Sequence, residues 1–195
     1  MSHFFADEGW GLGDFAQYFA VHCPKCQGKA EVDTSKRLRC GACFHTEVEG
    51  HWYGGAELLV QVKCRECYAP IQARGTWLGN WHKLTTTCPR CGDTCQYEST
   101  LIKLQRHQGL MTDPVFGLPL WYQANFKGDL FWAFNVAHLQ YLSRYVAAKH
   151  RERGISPRNT IKKNSSMISR LPDFIRSAKN RDDLSKLIAK LLNKI

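Results

Sequence analysis

Cysteine spacing is the feature of this sequence that predicts a chemistry most directly. Eight of the nine cysteines form four Cys-x-x-Cys pairs, which are Cys23/Cys26, Cys40/Cys43, Cys64/Cys67 and Cys88/Cys91. Two thiolates separated by two residues can bind one tetrahedral ion, and a second pair completes a shell of four sulfurs. Such a shell leaves no position for water, so it is typical of structural sites rather than catalytic ones. The sequence therefore predicts two structural Zn²⁺ ions.

Disulfide bonds are the alternative explanation for paired cysteines, and the rest of the sequence argues against them. The N-terminus lacks a basic region followed by an apolar run, so no secretory signal is expected. The most apolar stretch, residues 130–139, is too short to cross a membrane and contains Asn135 and His138. We therefore expect a cytoplasmic protein without a membrane association, and metal ligation is favoured over disulfides in that compartment.

The two halves of the cysteine pattern repeat one another in outline. Cys23-Pro-Lys-Cys26 and Cys88-Pro-Arg-Cys91 carry stiffening prolines, while Gly28 and Gly92 follow their pairs and relieve the turn. Residues 21–49 and 60–102 each resemble a zinc ribbon, as found in transcription factors, RNA polymerase subunits, topoisomerase tails and many transposases. The resemblance implies that one ion is held by Cys23, Cys26, Cys40 and Cys43, and the other by Cys64, Cys67, Cys88 and Cys91. Cross-pairing between the units stays open as an alternative.

The ninth cysteine and three nearby histidines are not needed to complete either shell. Cys95 follows Cys91 by four residues, and it is expected to be a packed free thiol. The alternatives are a replacement ligand for Cys88 or a thiol made reactive by Arg90. His22, His45 and His82 lie close to cysteines in sequence and are expected to surround the ligands or to lie on the surface.

The net charge of +10 comes entirely from the last quarter of the chain, because residues 1–143 sum to zero. Asp129 is predicted to cap a helix from Leu130 to about Arg153, and Pro172 to begin another turn of helix. A last helix has an apolar face from Leu184 to Ile195 and Asn180 or Asp182 as its cap.

The predicted fold class is therefore α+β, with two small antiparallel β zinc ribbons followed by a basic C-terminal helical region. The predicted domains are residues 1–56, a first ribbon with an N-terminal extension; residues 57–127, a second ribbon and a connecting segment; and residues 128–195, the basic helical region.

Binding is predicted as the function, because no phosphate loop, nucleophile elbow or zinc-protease motif occurs and the carboxylates show no catalytic spacing. A basic segment attracts polyanions, so nucleic acid is the favoured partner, and aromatic side chains would stack on unpaired bases. The candidate nucleic-acid-binding residues are Trp77, Trp81, Lys83, Arg144, Lys149, Arg151, Arg153, Arg158, Lys162 and Lys163.

Two other functions are compatible with the same sequence. In the first, the protein is an adaptor subunit that docks partner proteins through the ribbons and the C-terminal helices, with residues 116–126 as a further candidate docking segment. In the second, the Cys-x-x-Cys pairs have a thiol-redox or metal-sensing role.

Overall fold

The computed structural model of the protein describes residues 4–77, 82–152 and 166–194. In chain order the strands are β1 (Phe4–Ala6), β2 (Tyr18–His22), β3 (Lys29–Asp33), β4 (Arg37–Cys40), β5 (Thr46–Val48), β6 (Ala56–Lys63), β7 (Pro70–Thr76), β8 (Lys83–Thr87), β9 (Thr94–Glu98), β10 (Thr100–Lys103), β11 (Arg106–His107), β12 (Leu110–Met111), β13 (Tyr122–Phe126), β14 (Asp129–Ala133) and β15 (His150–Glu152). The helices are α1 (Val136–Ala147), α2 (Asp173–Arg176) and α3 (Arg181–Leu192). The mixture of small, mostly antiparallel sheets and helices is compatible with the predicted α+β class.

The first cysteine unit is a four-stranded antiparallel sheet with the order β2-β3-β4-β5. Its strands alternate buried and exposed side chains, so Val32 and Leu38 face inward at full burial. Phe116, Leu118 and Leu120 cover this inner face, although they follow the second cysteine unit in sequence. The covering segment gives the first unit a core beyond its own strands.

The second cysteine unit has a thinner core. β6 pairs with β7 on one side and with β10 on the other, and the β8–β9 hairpin contacts both β6 and β7. Besides its cysteines, the buried cluster consists of Val60, Ala69, Ile71 and Tyr97. Among the described residues, this cluster is smaller than the one that covers the first cysteine unit.

The start of the predicted basic helix is wrong, because Asp129 and Leu130 belong to strand β14. β13 and β14 form an antiparallel hairpin in which Phe126 pairs with Asp129. The two turn residues between them, Lys127 and Gly128, have φ of 53° and 95°. Positive φ at both positions is the type I′ geometry that matches the twist of a two-residue hairpin.

Helix α1 begins six residues later than predicted for a physical reason at Asn135. The Asn135 side chain accepts a hydrogen bond from the His138 N–H at 3.0 Å and donates to the Phe15 and Tyr18 carbonyls. α1 ends at Ala147, because Ala148 is extended and β15 follows. The predicted stop at Gly154 lies outside the described residues.

The N-terminal segment contributes to the largest buried cluster. β1 pairs in parallel with β15, and a 3-10 turn spans Leu12–Phe15. Phe5 and Phe15 are buried in this core against the ring of Tyr141 on α1. A pairing between residues so far apart in sequence leaves no local pattern to read.

Helix α3 packs its apolar face on this core, as Leu184, Ile188 and Leu191 are buried and α3 contacts α1. Asn180 is its N-terminal flanking residue but makes no capping bond with its side chain. Just beyond α3, the Lys194 ammonium lies 4.0 Å from the Trp121 ring centroid and 3.4 Å from His22 Nε2. This contact fastens the end of the chain to the start of the first cysteine unit. Within the three described ranges, no helix has the length and apolarity needed to cross a lipid bilayer.

Candidate metal centres

The structure brings the eight paired cysteines into two separate clusters of four. In the first, Sγ of Cys23 lies 3.7 Å from Sγ of Cys43, and Sγ of Cys26 lies 3.6 Å from Sγ of Cys40. All four sulfurs lie within 4.8 Å of one another. These are the same four residues that the resemblance to zinc ribbons implies for one ion.

The second cluster repeats this geometry. Sγ of Cys64 lies 3.6 Å from Sγ of Cys91, and Sγ of Cys67 lies 3.6 Å from Sγ of Cys88. With Zn–S bonds of about 2.3 Å, the sulfurs of a tetrahedral zinc site with four cysteine ligands are about 3.8 Å apart, whereas a disulfide requires about 2.05 Å. All nine cysteines are free thiols. Each cluster can therefore hold a metal ion, and its sulfur set and spacing suit zinc.

Four tight turns, here called knuckles, place the sulfurs. They comprise residues 23–27, 40–44, 64–68 and 88–92. In each, the N–H of the first cysteine bonds to the carbonyl five residues on, at 2.7 to 2.9 Å. The residue after the second cysteine has φ between 57° and 75° in every knuckle. Only the last of these residues is glycine, so the predicted role of Gly28 as the turn-relieving residue belongs instead to Gln27.

Burial within each knuckle is asymmetric. The first cysteine of every knuckle is at most 4% exposed, whereas Cys26, Cys43 and Cys91 lie at the surface. The buried sulfurs join the apolar clusters of the two sheets, so the metal sites close one end of each core. Losing a metal would therefore disturb the packing as well as the knuckles.

Backbone N–H groups stabilise the thiolate form that binds metal. The N–H groups of Cys43 and Ala42 bond to the Cys40 sulfur and lower the pKa of Cys40 to about 6. Those of Cys91 and Arg90 lower the pKa of Cys88 to about 6 in the same way. The knuckle backbone therefore prepares these sulfurs for a cation.

Cys95 lies outside both clusters. Its Sγ donates to the Asp93 carboxylate at 3.2 Å, and this bond, together with burial and the carboxylate charge, raises the pKa of Cys95. A raised pKa keeps the thiol protonated at neutral pH. The arrangement agrees with a half-buried free thiol and not with a replacement ligand for Cys88.

The histidines near the cysteines bond to neighbouring groups. His22 Nδ1 donates to the Gln27 carbonyl at 3.1 Å, which leaves Nε2 to accept from Lys194. His45 Nε2 lies 3.2 Å from a Glu47 carboxylate oxygen, which also accepts from the Tyr53 hydroxyl at 2.7 Å. His82 is exposed. None of the three belongs to a cluster of metal-ligating groups found among the described residues.

The candidate nucleic-acid-binding residues have several different surroundings. Arg151 is committed to the fold: its guanidinium stacks on Tyr145 at 4.2 Å and donates to the carbonyls of Tyr145, Val146 and Arg176. Lys83 and Arg144 form exposed ion pairs with Glu98 and Glu8.

The remaining candidates divide into exposed, half-buried and undescribed residues. Lys149 is exposed, and Trp77 is half-buried with its indole N–H enclosed. Trp81, Arg153, Arg158, Lys162 and Lys163 lie outside the described residues.

A cavity of about 350 Å³ lies beside α1, away from the metal clusters, and its walls are mainly apolar. His138 and Arg170 are its titratable groups among the described lining residues. Burial lowers the pKa of His138 to about 4, and its Nδ1 already accepts from the Phe134 N–H. The described walls thus contain no carboxylate or thiol that could act with this neutral imidazole.

Comparison with models of protein families, with curated proteins and with solved structures finds no match. The functional argument therefore rests on the residues themselves.

Proposed function

We propose that this protein is a non-enzymatic, zinc-stabilised protein that binds nucleic acid, DNA or RNA, within a larger complex. The two four-sulfur clusters support the structural role of the metal, because a closed thiolate shell offers no coordination site to a substrate. Zinc bound in this way contributes to folding, so it maintains the surfaces on which a partner would bind.

The observation that carries the proposal is a set of exposed cations in the C-terminal region. Their side chains form no hydrogen bond or ion pair with the part of the chain that the structure describes: Lys149, Arg170, Lys179, Lys186 and Lys190. Lys186 is close enough to Asp183 for its charge to help lower the pKa of that carboxyl. Lysine and arginine left free in this way can neutralise phosphates and release the counterions that accompany them.

Two of the surfaces considered for the adaptor alternative are largely buried within the chain. Phe116, Leu118 and Leu120 are buried against the first ribbon sheet. The leucine face of α3 is buried against α1. A protein partner would need other surfaces, whereas the free cations need no rearrangement to meet a polyanion.

The test is binding of labelled oligonucleotides at several salt concentrations, measured by fluorescence anisotropy. Wild-type affinity should fall as salt rises. The double variant Lys186→Gln/Lys190→Gln should bind more weakly, and the slope of log K against log salt should shrink by roughly 0.7–0.9 for each lost contact.

The matched control is Lys36→Gln/Arg74→Gln, which removes the same charge from residues that already form exposed ion pairs with Glu49 and Glu57. This control should bind as the wild type does. Absence of binding by the wild type, or binding that does not weaken with salt, would refute the proposal. Equal losses in both double variants would attribute binding to net charge alone and would contradict a C-terminal site.

A further inference from the structure

The position that follows the second cysteine of each knuckle has a left-handed backbone conformation. Its φ is 60° at Gln27, 57° at Phe44, 57° at Tyr68 and 75° at Gly92. This left-handed region favours glycine, because a Cβ crowds the backbone there. Side chains at these positions therefore need a reason to be present.

Two of the four positions carry large aromatic side chains, and both side chains point into solvent. Phe44 is 84% exposed and Tyr68 is 75% exposed. Neither ring contacts another ring or a cation within the described ranges. These side chains gain no stabilisation from burial, and the left-handed backbone conformation disfavours any residue with a Cβ. Neither packing nor local geometry therefore explains why these residues are aromatic.

Each aromatic residue and one cation belong to the two knuckles of the same cluster. Phe44 follows Cys43 and Lys25 lies between Cys23 and Cys26, while Tyr68 follows Cys67 and Arg90 lies between Cys88 and Cys91. Both cations are exposed, and their side chains form no hydrogen bond or ion pair with described residues. The two knuckles of each cluster therefore carry one exposed aromatic ring and one such cation, and the second cluster also carries the exposed carboxylate of Glu66.

This combination matches the two parts of an unpaired nucleotide. A base offers a flat π face on which Phe or Tyr can stack, and its phosphate can contact Lys or Arg. Four thiolates with one divalent ion leave each metal site with a net negative charge, which would repel a phosphate. The positive charges of Lys25 and Arg90 reduce this repulsion. In a duplex, both faces of each base are covered by its neighbours, and single strands leave them free.

We propose that Phe44 and Tyr68 are base-stacking residues, and that the knuckles of each metal site bind single-stranded nucleic acid. This inference rests on the proposed function and adds the strand state of the ligand. It also places contacts on the ribbons, separate from the C-terminal cations.

The experiment replaces both aromatic residues by the residue that their backbone prefers, in Phe44→Gly/Tyr68→Gly. The knuckles should fold and bind metal as in the wild type, while affinity for a single-stranded oligonucleotide falls at least about fivefold for each ring lost. Affinity for a duplex of the same sequence should not change. Gln27→Gly is the matched control, since it makes the same backbone change at a knuckle without an aromatic ring and should leave binding unaltered.

A second double variant, Phe44→Leu/Tyr68→Leu, distinguishes stacking from general apolar contact. Stacking predicts that it binds single strands as weakly as the glycine variant does. If the leucine variant keeps wild-type affinity, the flat ring is not required, and docking of an apolar protein segment replaces the proposal.

The outcomes separate this inference from the proposed function. If the wild type binds no oligonucleotide, the proposed function fails. If the wild type binds in a salt-dependent manner and the glycine variant binds single strands equally well, nucleic-acid binding stands and the stacking role is overturned.

Discussion

Replacing Cys88 by serine should remove one metal ion and unfold only the second cysteine unit. Cys88 is 1% exposed and its sulfur lies 3.6 Å from that of Cys67, so it is one of the ligands that join the metal to the buried core. A serine hydroxyl is neutral at physiological pH and cannot replace the thiolate. We expect the zinc content of Cys88→Ser to fall from two ions to one per chain.

The expected loss of structure is large because the second cysteine unit has little apolar core to stabilise it without the metal. Structural zinc contributes on the order of 10 kcal/mol to folding, which is comparable with the total stability of about 5–15 kcal/mol of an ordinary domain. Among the described residues, the buried cluster around the second set of cysteines contains Val60, Ala69, Ile71 and Tyr97 as its other members. This small apolar cluster cannot compensate for the lost metal, whereas residues 116–120 cover the first cysteine unit.

Hydrogen exchange read by mass spectrometry, together with native mass spectrometry for the metal count, measures both effects. In Cys88→Ser, amides of β8, β9 and the knuckle at residues 64–68 should lose protection, while those of β2 to β4 keep it. Cys95→Ser is the matched control and should retain two ions, because Cys95 lies outside the clusters. Persistent protection of β8 and β9 in Cys88→Ser would refute the reasoning, as would equal loss of protection in both cysteine units.

Three further predictions concern residues that hold the helical part together. Arg151→Ala should lower the free energy of unfolding by about 2 kcal/mol in urea, because the carbonyls at the end of α1 lose their hydrogen-bond donor. Its oligonucleotide affinity, measured by anisotropy, should stay unchanged. Asn135→Ala should cost roughly 2–4 kcal/mol in urea unfolding, since a helix cap and two donors to carbonyls are lost, whereas Asp129→Ala should cost little. Burial lowers the pKa of His138 to about 4, so the unfolded chain takes up a proton more readily and stability falls as pH drops below 6.5. Between pH 7 and pH 5, protonation of His138 in the unfolded chain lowers the free energy of unfolding by about 2 kcal/mol. His138→Gln should lack this part of the loss when urea unfolding is compared at the two pH values.

Each of these predictions has a result that contradicts it. If Arg151→Ala is folded but binds nucleic acid more weakly than the wild type, Arg151 contributes to binding as the sequence predicted. A larger loss in Asp129→Ala than in Asn135→Ala would restore the helix start predicted from the sequence. The same pH dependence in wild type and His138→Gln would mean that this imidazole does not resist protonation. The metal sites also weaken in acid, but they are common to both proteins, so the difference isolates His138.

The cysteine clusters were predictable because their information is local. A Cys-x-x-Cys pair specifies a turn, and two turns with four thiolates suffice to define a tetrahedral site. The left-handed conformation in the knuckles was harder to predict from the sequence. Glycine marks it only at residue 92, whereas Gln27, Phe44 and Tyr68 occupy the other three positions.

The error at the start of α1 arose from an ambiguous apolar run. Residues 130–134 are apolar throughout, a pattern that a strand and a buried helix share. Lys127-Gly128 was the available signal, because a two-residue turn ending in glycine between apolar segments favours a hairpin. Asn135, an equally good cap six residues after Asp129, then begins the helix.

Long-range contacts had no signal in the sequence. Two examples depend on how distant segments pack: the parallel pairing of β1 with β15, and the contact of the Lys194 ammonium with the Trp121 ring. The same applies to Arg151, whose charge favoured phosphate binding until its carbonyl partners were known. A basic residue shows whether it is free only when its neighbours are in place.

Metal analysis of the protein purified under reducing conditions tests the central claim most directly. Native mass spectrometry should find two zinc ions per chain, and a strong chelator should abolish the hydrogen-exchange protection of the knuckle strands. A chain that carries no transition metal and retains that protection in the chelator would contradict the account.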